Sequence, residues 1–296
     1  MSNRSLAEAL AEAVDTESIR LPVYPAVARR LEAQAETIET PAELKTLVEM
    51  DPALVCTLFR AANASFFKGL TPTSSLEEAI TRLGMEQSLQ VVRQACRDGA
   101  YAPGSKLLPR YIPVLWQHAI SCALGSWWLA NRCGYQGLAE QAYLAGLLHD
   151  AGKLLLITCL EKISSGDSFG IPLSDRIIHE ILHTMHIEQG LNLVETWQLP
   201  EFFQRVIDSH HTPELDNQDI TVALVKLANR GCRKIGLGLE QDRSLVLPTT
   251  AEAQFLGISE IALAEYEIML EDRFFDGEQV MLEAGPKHGV PQTWSR

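Results

Sequence analysis

Apolar residues recur at three- and four-residue spacing along most of this chain, and strict alternation appears almost nowhere. That period belongs to helices, so the pattern predicts an all-α protein. Start and stop signals agree with it. Thr40, Pro41 and Glu43 supply an N-cap, a first-turn proline and a capping-box glutamate. Asp51-Pro52 opens the next helix in the same way, and ALVCTLFRAANAS continues it with one apolar stripe. SLEEAITRLG, from Ser75 to Gly84, gives a third. Arg110 to Cys133 reads as one long helix closed by Gly134. Further helices are expected near 137–150, 174–185, 186–197, 200–210 and 219–235.

The sharpest interruption is RDGAYAPGSKLLP at 97–109, which predicts two helical lobes, 17–100 and 106–235. A C-terminal extension, 236–296, is expected to carry one helix near 258–273 and to end in a loose tail, EAGPKHGVPQTWSR. Short loops between neighbouring helices imply antiparallel packing.

Composition narrows the function. The chain has 296 residues, 46% of them hydrophobic, which suffices for a large core. Lys+Arg is 25 against Asp+Glu 38, a net charge of −13, and the cations form no run. A phosphate backbone would be repelled, so DNA is not an expected partner. No apolar run reaches the roughly 20 residues of a membrane span, and MSNRSLAEALAEAVDTE is acidic, so the expected location is the cytoplasm, with no membrane partner. Six cysteines lie far apart without a C-x-x-C pair and read as buried free thiols.

Seven of the eight histidines fall between residues 118 and 211. His179-Glu180-Ile181-Leu182-His183 matches H-E-x-x-H, which on a helix can seat a zinc ion beside a glutamate base. Only three of its five positions are specified, and no third ligand pattern follows, so a solvated or capping role suits His179 and His183 better. A second constellation is more specific. Leu147-Leu148-His149-Asp150-Ala151-Gly152-Lys153 sets His and Asp side by side where an apolar helix ends, and Gly152 offers a bend that lets both face one ion. His118 lies upstream in a long helix; His186 and the pair His210-His211 lie downstream. Separate helices each deliver imidazole or carboxylate, as metal sites in bundle cores require. Such donors suit iron, manganese, nickel or zinc. The plainer alternatives are a hydrogen-bonded core histidine at His118, helix-capping imidazoles at His210-His211, and a solvated Lys153. Trp127, Trp128 and Trp197 read as packing residues, and Asn63 and Ser65 as a helix end.

Taken together, these residues resemble the HDOD (HD-related output) domains over roughly residues 17–235. The resemblance rests on Leu21-Pro22-Val23-Tyr24-Pro25, Met50-Asp51-Pro52-Ala53-Leu54, Ala61 to Phe66 and SLEEAITRLG. Its second half adds His149-Asp150, Glu180, His186, Gly190, Trp197-Gln198-Leu199-Pro200 and His210-His211. It implies an all-α bacterial signalling protein with an HD-like C-terminal lobe, related to HD-superfamily phosphohydrolases such as the HD-GYP phosphodiesterases. In those enzymes, histidines and aspartates hold divalent metals that activate water. By motif, His118, His149, Asp150, His186, His210 and His211 match metal-ligand positions, and Lys153 matches the lysine of H-D-x-G-K. At Leu227-Ala228-Asn229 the chain departs, with Asn229 where the enzymes place a final aspartate. No GYP-type signature follows His210-His211.

A two-metal centre carries about +4 of formal charge and leans on several carboxylates, whereas Asp150 is the one aligned here. The expectation is therefore a non-catalytic output module that binds protein partners, one divalent transition metal and a nucleotide-type ligand. The alternative is a metal-dependent phosphohydrolase acting on a nucleotide or cyclic dinucleotide. In that case His149 and Asp150 would anchor the metal and Lys153 would steady a phosphate oxygen.

Overall fold

The computed structural model describes residues 6–14, 18–64, 71–165, 173–212, 215 and 219–275. The sequence beyond 275, including the tail at 283–296, lies outside them, as does Ser65. All regular structure among the described residues is helical.

A first group of helices comprises α1 (Leu6–Ala13), α2 (Pro25–Gln34), α3 (Pro41–Val48), α4 (Pro52–Ala62), α5 (Leu76–Leu83) and α6 (Met85–Asp98). The expected capping box is present at Thr40 and Glu43. Asp51 caps α4 through Ala53 N–H and Leu54 N–H, and its other oxygen accepts Tyr24 N–H at 2.9 Å. One buried carboxylate thus ties the segment before α2 to the start of α4. Asn63 caps the end of α4, accepts from Thr73 and Arg82, and donates to Gln198 O at 2.8 Å.

The second group follows the 97–109 break: α7 (Leu108–Arg132), α8 (Ala139–Leu148), α9 (Ala151–Ser165), α10 (Asp175–Thr196), α11 (Glu201–Ser209) and α12 (Ile220–Ile235). α7 lies along α8 and α12, and α9 along α10. Two differences from the sequence pattern stand out. The expected helices at 174–185 and 186–197 are one continuous helix, α10. His186 and Gln189 interrupt its apolar stripe without ending it, because both are buried inside. The pattern gives no separate helix for α9, which is buried on nearly every face and so shows little amphipathic period.

The core does not stop at the break between the groups. One cluster of buried apolar residues runs from Ala9 to Ile207, Tyr24 stacks on Trp116 at 4.4 Å, and Trp116 Nε1–H donates to Met50 O. A second cluster joins α7, α8 and α12 to α13 (Ala251–Leu256) and α14 (Glu260–Phe275), around the fully buried Tyr266. α14 is the helix expected near 258–273; α13 is an addition. The segment Gln136–Ser165 is long and apolar enough to cross a membrane by composition, but 94% of its apolar window is buried in this core, and it is broken at His149-Asp150. All six cysteines are free thiols, four of them buried.

A candidate metal centre

α8 ends at Leu148 and α9 begins at Ala151, so His149 and Asp150 occupy the junction between two helices. There both side chains turn to the same side, which a continuous helix forbids for neighbours. The close approach of α9 to α10 makes this corner tight. A Cβ on Gly152 would lie 1.9 Å from His186 O and 2.7 Å from Gly190 N, so only glycine fits.

Four imidazoles converge on Asp150. His118 comes from α7, His149 from the corner, His186 from α10, and His210 from the end of α11. Each Nδ1–H donates to a backbone carbonyl: His118 to Leu237 O at 2.7 Å, His149 to Gly146 O at 2.7 Å, His186 to His183 O at 2.9 Å and His210 to Ile207 O at 2.8 Å. Since a carbonyl only accepts, those bonds place a proton on each Nδ1 and direct each Nε2 away from the backbone, where it can offer a lone pair to an ion.

The lone pairs face inward as two couples. His118 Nε2 and His149 Nε2 are 3.2 Å apart; His186 Nε2 and His210 Nε2 are 3.3 Å apart. Asp150 lies between the couples, with Oδ2 3.4 and 3.5 Å from His118 and His149, and Oδ1 3.5 Å from both His186 and His210. Facing lone pairs repel unless a proton or a metal ion sits between them. Asp150 Oδ1 and His211 Nε2 are buried with no hydrogen-bond partner among the described residues. Buried polar atoms left this way are rare and point to something the polypeptide does not supply. The donor set fits a metal ion: Asp150, His186, His210 and His211 form one group able to hold it, and His118, Cys122 and His149 form another.

The electrostatics keep these donors ready. Burial drives the His149 imidazole well below its usual range, and does the same to His186, down to about 4, and His211, down to about 3. Burial by itself would raise the Asp150 carboxyl, but the Lys153 ammonium and the surrounding imidazoles outweigh it and hold it well below the usual carboxylate range. Lys153 is buried and donates to Asp150 Oδ2 at 2.7 Å, so it is not the solvated lysine weighed from the sequence.

The H-E-x-x-H pair goes elsewhere. His179 packs edge-on to Tyr111, and His183 Nδ1 is 2.8 Å from Glu240 Oε1. Asn229, buried on α12, lines the cavity beside His118, Asp150, Lys153 and His211. That cavity measures about 20 Å³, and Arg233, Gly238, Leu239 and Glu240 line the rest of it. Two contributions escaped sequence reasoning. Cys122 carried a readable signal, four residues after His118 on the same helix face. The strap at 236–240 carried none, because its role depends on a carbonyl 119 residues from His118.

The HDOD domain model matches residues 21–213 of the chain. The chain belongs to the HDOD family. Asn229 and the strap thus lie beyond the matched HDOD segment. A similar fold occurs in the MmoQ response regulator of Methylococcus capsulatus str. Bath, with TM-score 0.65 and 21% identity over 84% of this chain and 98% of that one. Another occurs in a virulence factor of Campylobacter jejuni subsp. jejuni, with TM-score 0.54 and 12% identity over 94% and 99% of the two chains. At such identities the likeness is one of fold. An uncharacterised protein of Treponema pallidum (strain Nichols) is 26% identical over 217 residues, 70% of this chain. The chain spans about 40% of that relative's length.

Proposed function

We propose that this HDOD chain is a signal-transduction output module whose His–Asp pocket holds divalent metal in a tight, non-catalytic setting. The observation that carries this reading is the small size of the cavity. The free space beside Asp150, about 20 Å³ between the imidazoles and Leu239 and Glu240, is far smaller than a phosphodiester. Lys153 already occupies one face of Asp150, and Asn229 withholds a carboxylate.

Two metal positions suit the donors better than the single one expected from sequence. A tetrahedral ion bound at about 2.0–2.1 Å sets its donors about 3.3–3.4 Å apart. His118, His149 and Asp150 Oδ2 are separated by 3.2–3.5 Å, and His186, His210 and Asp150 Oδ1 by 3.3–3.5 Å. His211 would complete the second position. Signalling would pass through contacts with protein partners. An open groove of about 740 Å³ beside α4 and α6, lined by Arg20, Arg60, Arg93 and Arg97, is where an acidic partner or a nucleotide-type ligand would fit.

The second reading, a metal-dependent phosphohydrolase, is favoured by one feature: a single carboxylate shared between two imidazole pairs. When bound, paired divalent ions supply Lewis acidity to water and phosphate oxygens. In this reading His149 and Asp150 hold the centre, Lys153 steadies a phosphate oxygen, and the 236–240 strap must first open. Assay of the full chain with manganese, iron or nickel separates the two. No appreciable hydrolysis of cyclic-di-GMP or common nucleotides is expected. Turnover above background that disappears in His149→Ala overturns the non-catalytic reading.

A further inference from the structure

Cys122 is fully buried on α7, one turn beyond His118, and its Sγ is 3.7 Å from His118 Nε2. His118, Cys122 and His149 each bring one donor atom into a group whose members lie within 4.8 Å of one another. Building on the metal reading above, we propose that Cys122 is a thiolate ligand. The first position is then a sulfur-containing, zinc-selective site of His118, His149, Cys122 and Asp150, while the second uses nitrogen and oxygen alone.

Spacing supports this assignment. A tetrahedral ion bound at about 2.3 Å by sulfur and about 2.0–2.1 Å by nitrogen holds the two atoms about 3.6 Å apart. The observed 3.7 Å sits beside the 3.2 Å of the two imidazoles, so three edges of the same polyhedron agree when Asp150 Oδ2 at 3.4 Å is included. A buried free cysteine is ordinarily an inert small hydrophobe. Cys56 and Cys159 fit that description, since neither joins a metal-binding group among the described residues.

Charge supports it too. Asn229 beside the site is neutral, and Lys153 cancels Asp150. A divalent ion here would otherwise be buried against no net anion, at high cost. The Cys122 thiolate supplies the missing negative charge from α7, one turn from His118. On binding, the S–H bond breaks, a sulfur–metal bond forms, and the proton leaves to solvent. Cys122 Sγ–H donates to Cys232 Sγ at 3.6 Å, and once Cys122 has lost its proton that contact would reverse, with Cys232 donating to the thiolate. A soft thiolate favours zinc and its analogue cobalt over manganese and magnesium, so the two positions differ in metal preference.

Cobalt(II) titration of the chelator-stripped full chain tests this directly. The expected result is a near-ultraviolet sulfur-to-cobalt charge-transfer band that Cys122→Ser abolishes while cobalt still binds, and that Cys232→Ser retains. Zinc affinity at this position should fall at least about tenfold in Cys122→Ser, with manganese affinity unchanged. Cobalt bound without the band, or a band that survives Cys122→Ser, overturns the ligand assignment and leaves the metal centre standing. A chain that binds no cobalt at all overturns both.

Discussion

His118 and His149 meet through their Nε2 atoms at 3.2 Å, although each has already committed its Nδ1 proton to a carbonyl, Leu237 and Gly146 respectively. A folded core that aims two lone pairs at each other is strained without a cation and relaxed with one. Chelation should therefore lower the melting temperature, and zinc or manganese should restore it. At a hundred times its dissociation constant a ligand contributes about 2.7 kcal/mol, which for a chain of this size is several degrees. Identical melts with chelator and with metal would refute the centre.

Metal-free protein should lose stability in acid over a defined window. His186 and His211 have pKa values lowered by burial to about 4 and about 3, whereas unfolded histidine titrates near 6.5. Between those values the unfolded chain binds more protons than the folded one, so stability falls as pH drops from about 6.5 toward 4. The slope is up to about 1.4 kcal/mol per pH unit for each histidine. Urea melts across pH 7 to 4.5 measure it. Replacing both residues with Gln should flatten the slope, and a wild-type midpoint independent of pH would contradict the buried, neutral assignment.

Gly152→Ala should damage the site more than any single surface change. Its Cβ would collide with backbone, His186 O and Gly190 N, which cannot rotate away as a side chain can. Overpacking typically costs about 1–3 kcal/mol, and a clash with backbone belongs at the upper end. It should also separate the His186–His210 couple from Asp150 and weaken metal binding. Wild-type stability and metal affinity in this variant would show that α9 and α10 can part without consequence.

Much of this site was legible because its residues carry local chemical signals. The His149-Asp150 doublet before Gly152 implied a helix corner, and His210-His211 a helix end, from glycine and capping rules alone. The interval between α6 and α7 was equally plain from its Pro and Gly. What escaped depends on tertiary contact. α10 reads as two helices because His186 and Gln189 are polar yet buried, and α9 shows little period because nearly every face is covered. The 236–240 strap has no motif; its meaning comes from Leu237 O meeting His118 and Glu240 meeting His183.

Asn229→Asp probes the neutral side chain that lines the cavity beside Asp150. Asn229 is buried and lines the cavity beside His118 and Asp150, so the nearly isosteric change adds one negative charge at the centre with little repacking. A charge pair at about 4 Å is worth a few kcal/mol at an effective dielectric near 20, before desolvation is subtracted. Even about 1.4 kcal/mol of that appears as tenfold tighter binding of a second divalent ion. Without metal, the same carboxylate is buried and unpaired, because Lys153 already serves Asp150. The variant should therefore melt below wild type after chelation and recover, or exceed it, when metal is returned. Calorimetric titration gives the affinities, and paired melts give the stabilities. If both are unchanged, the charge at residue 229 does not reach the metals, and the loss of an aspartate there cannot explain a non-catalytic pocket.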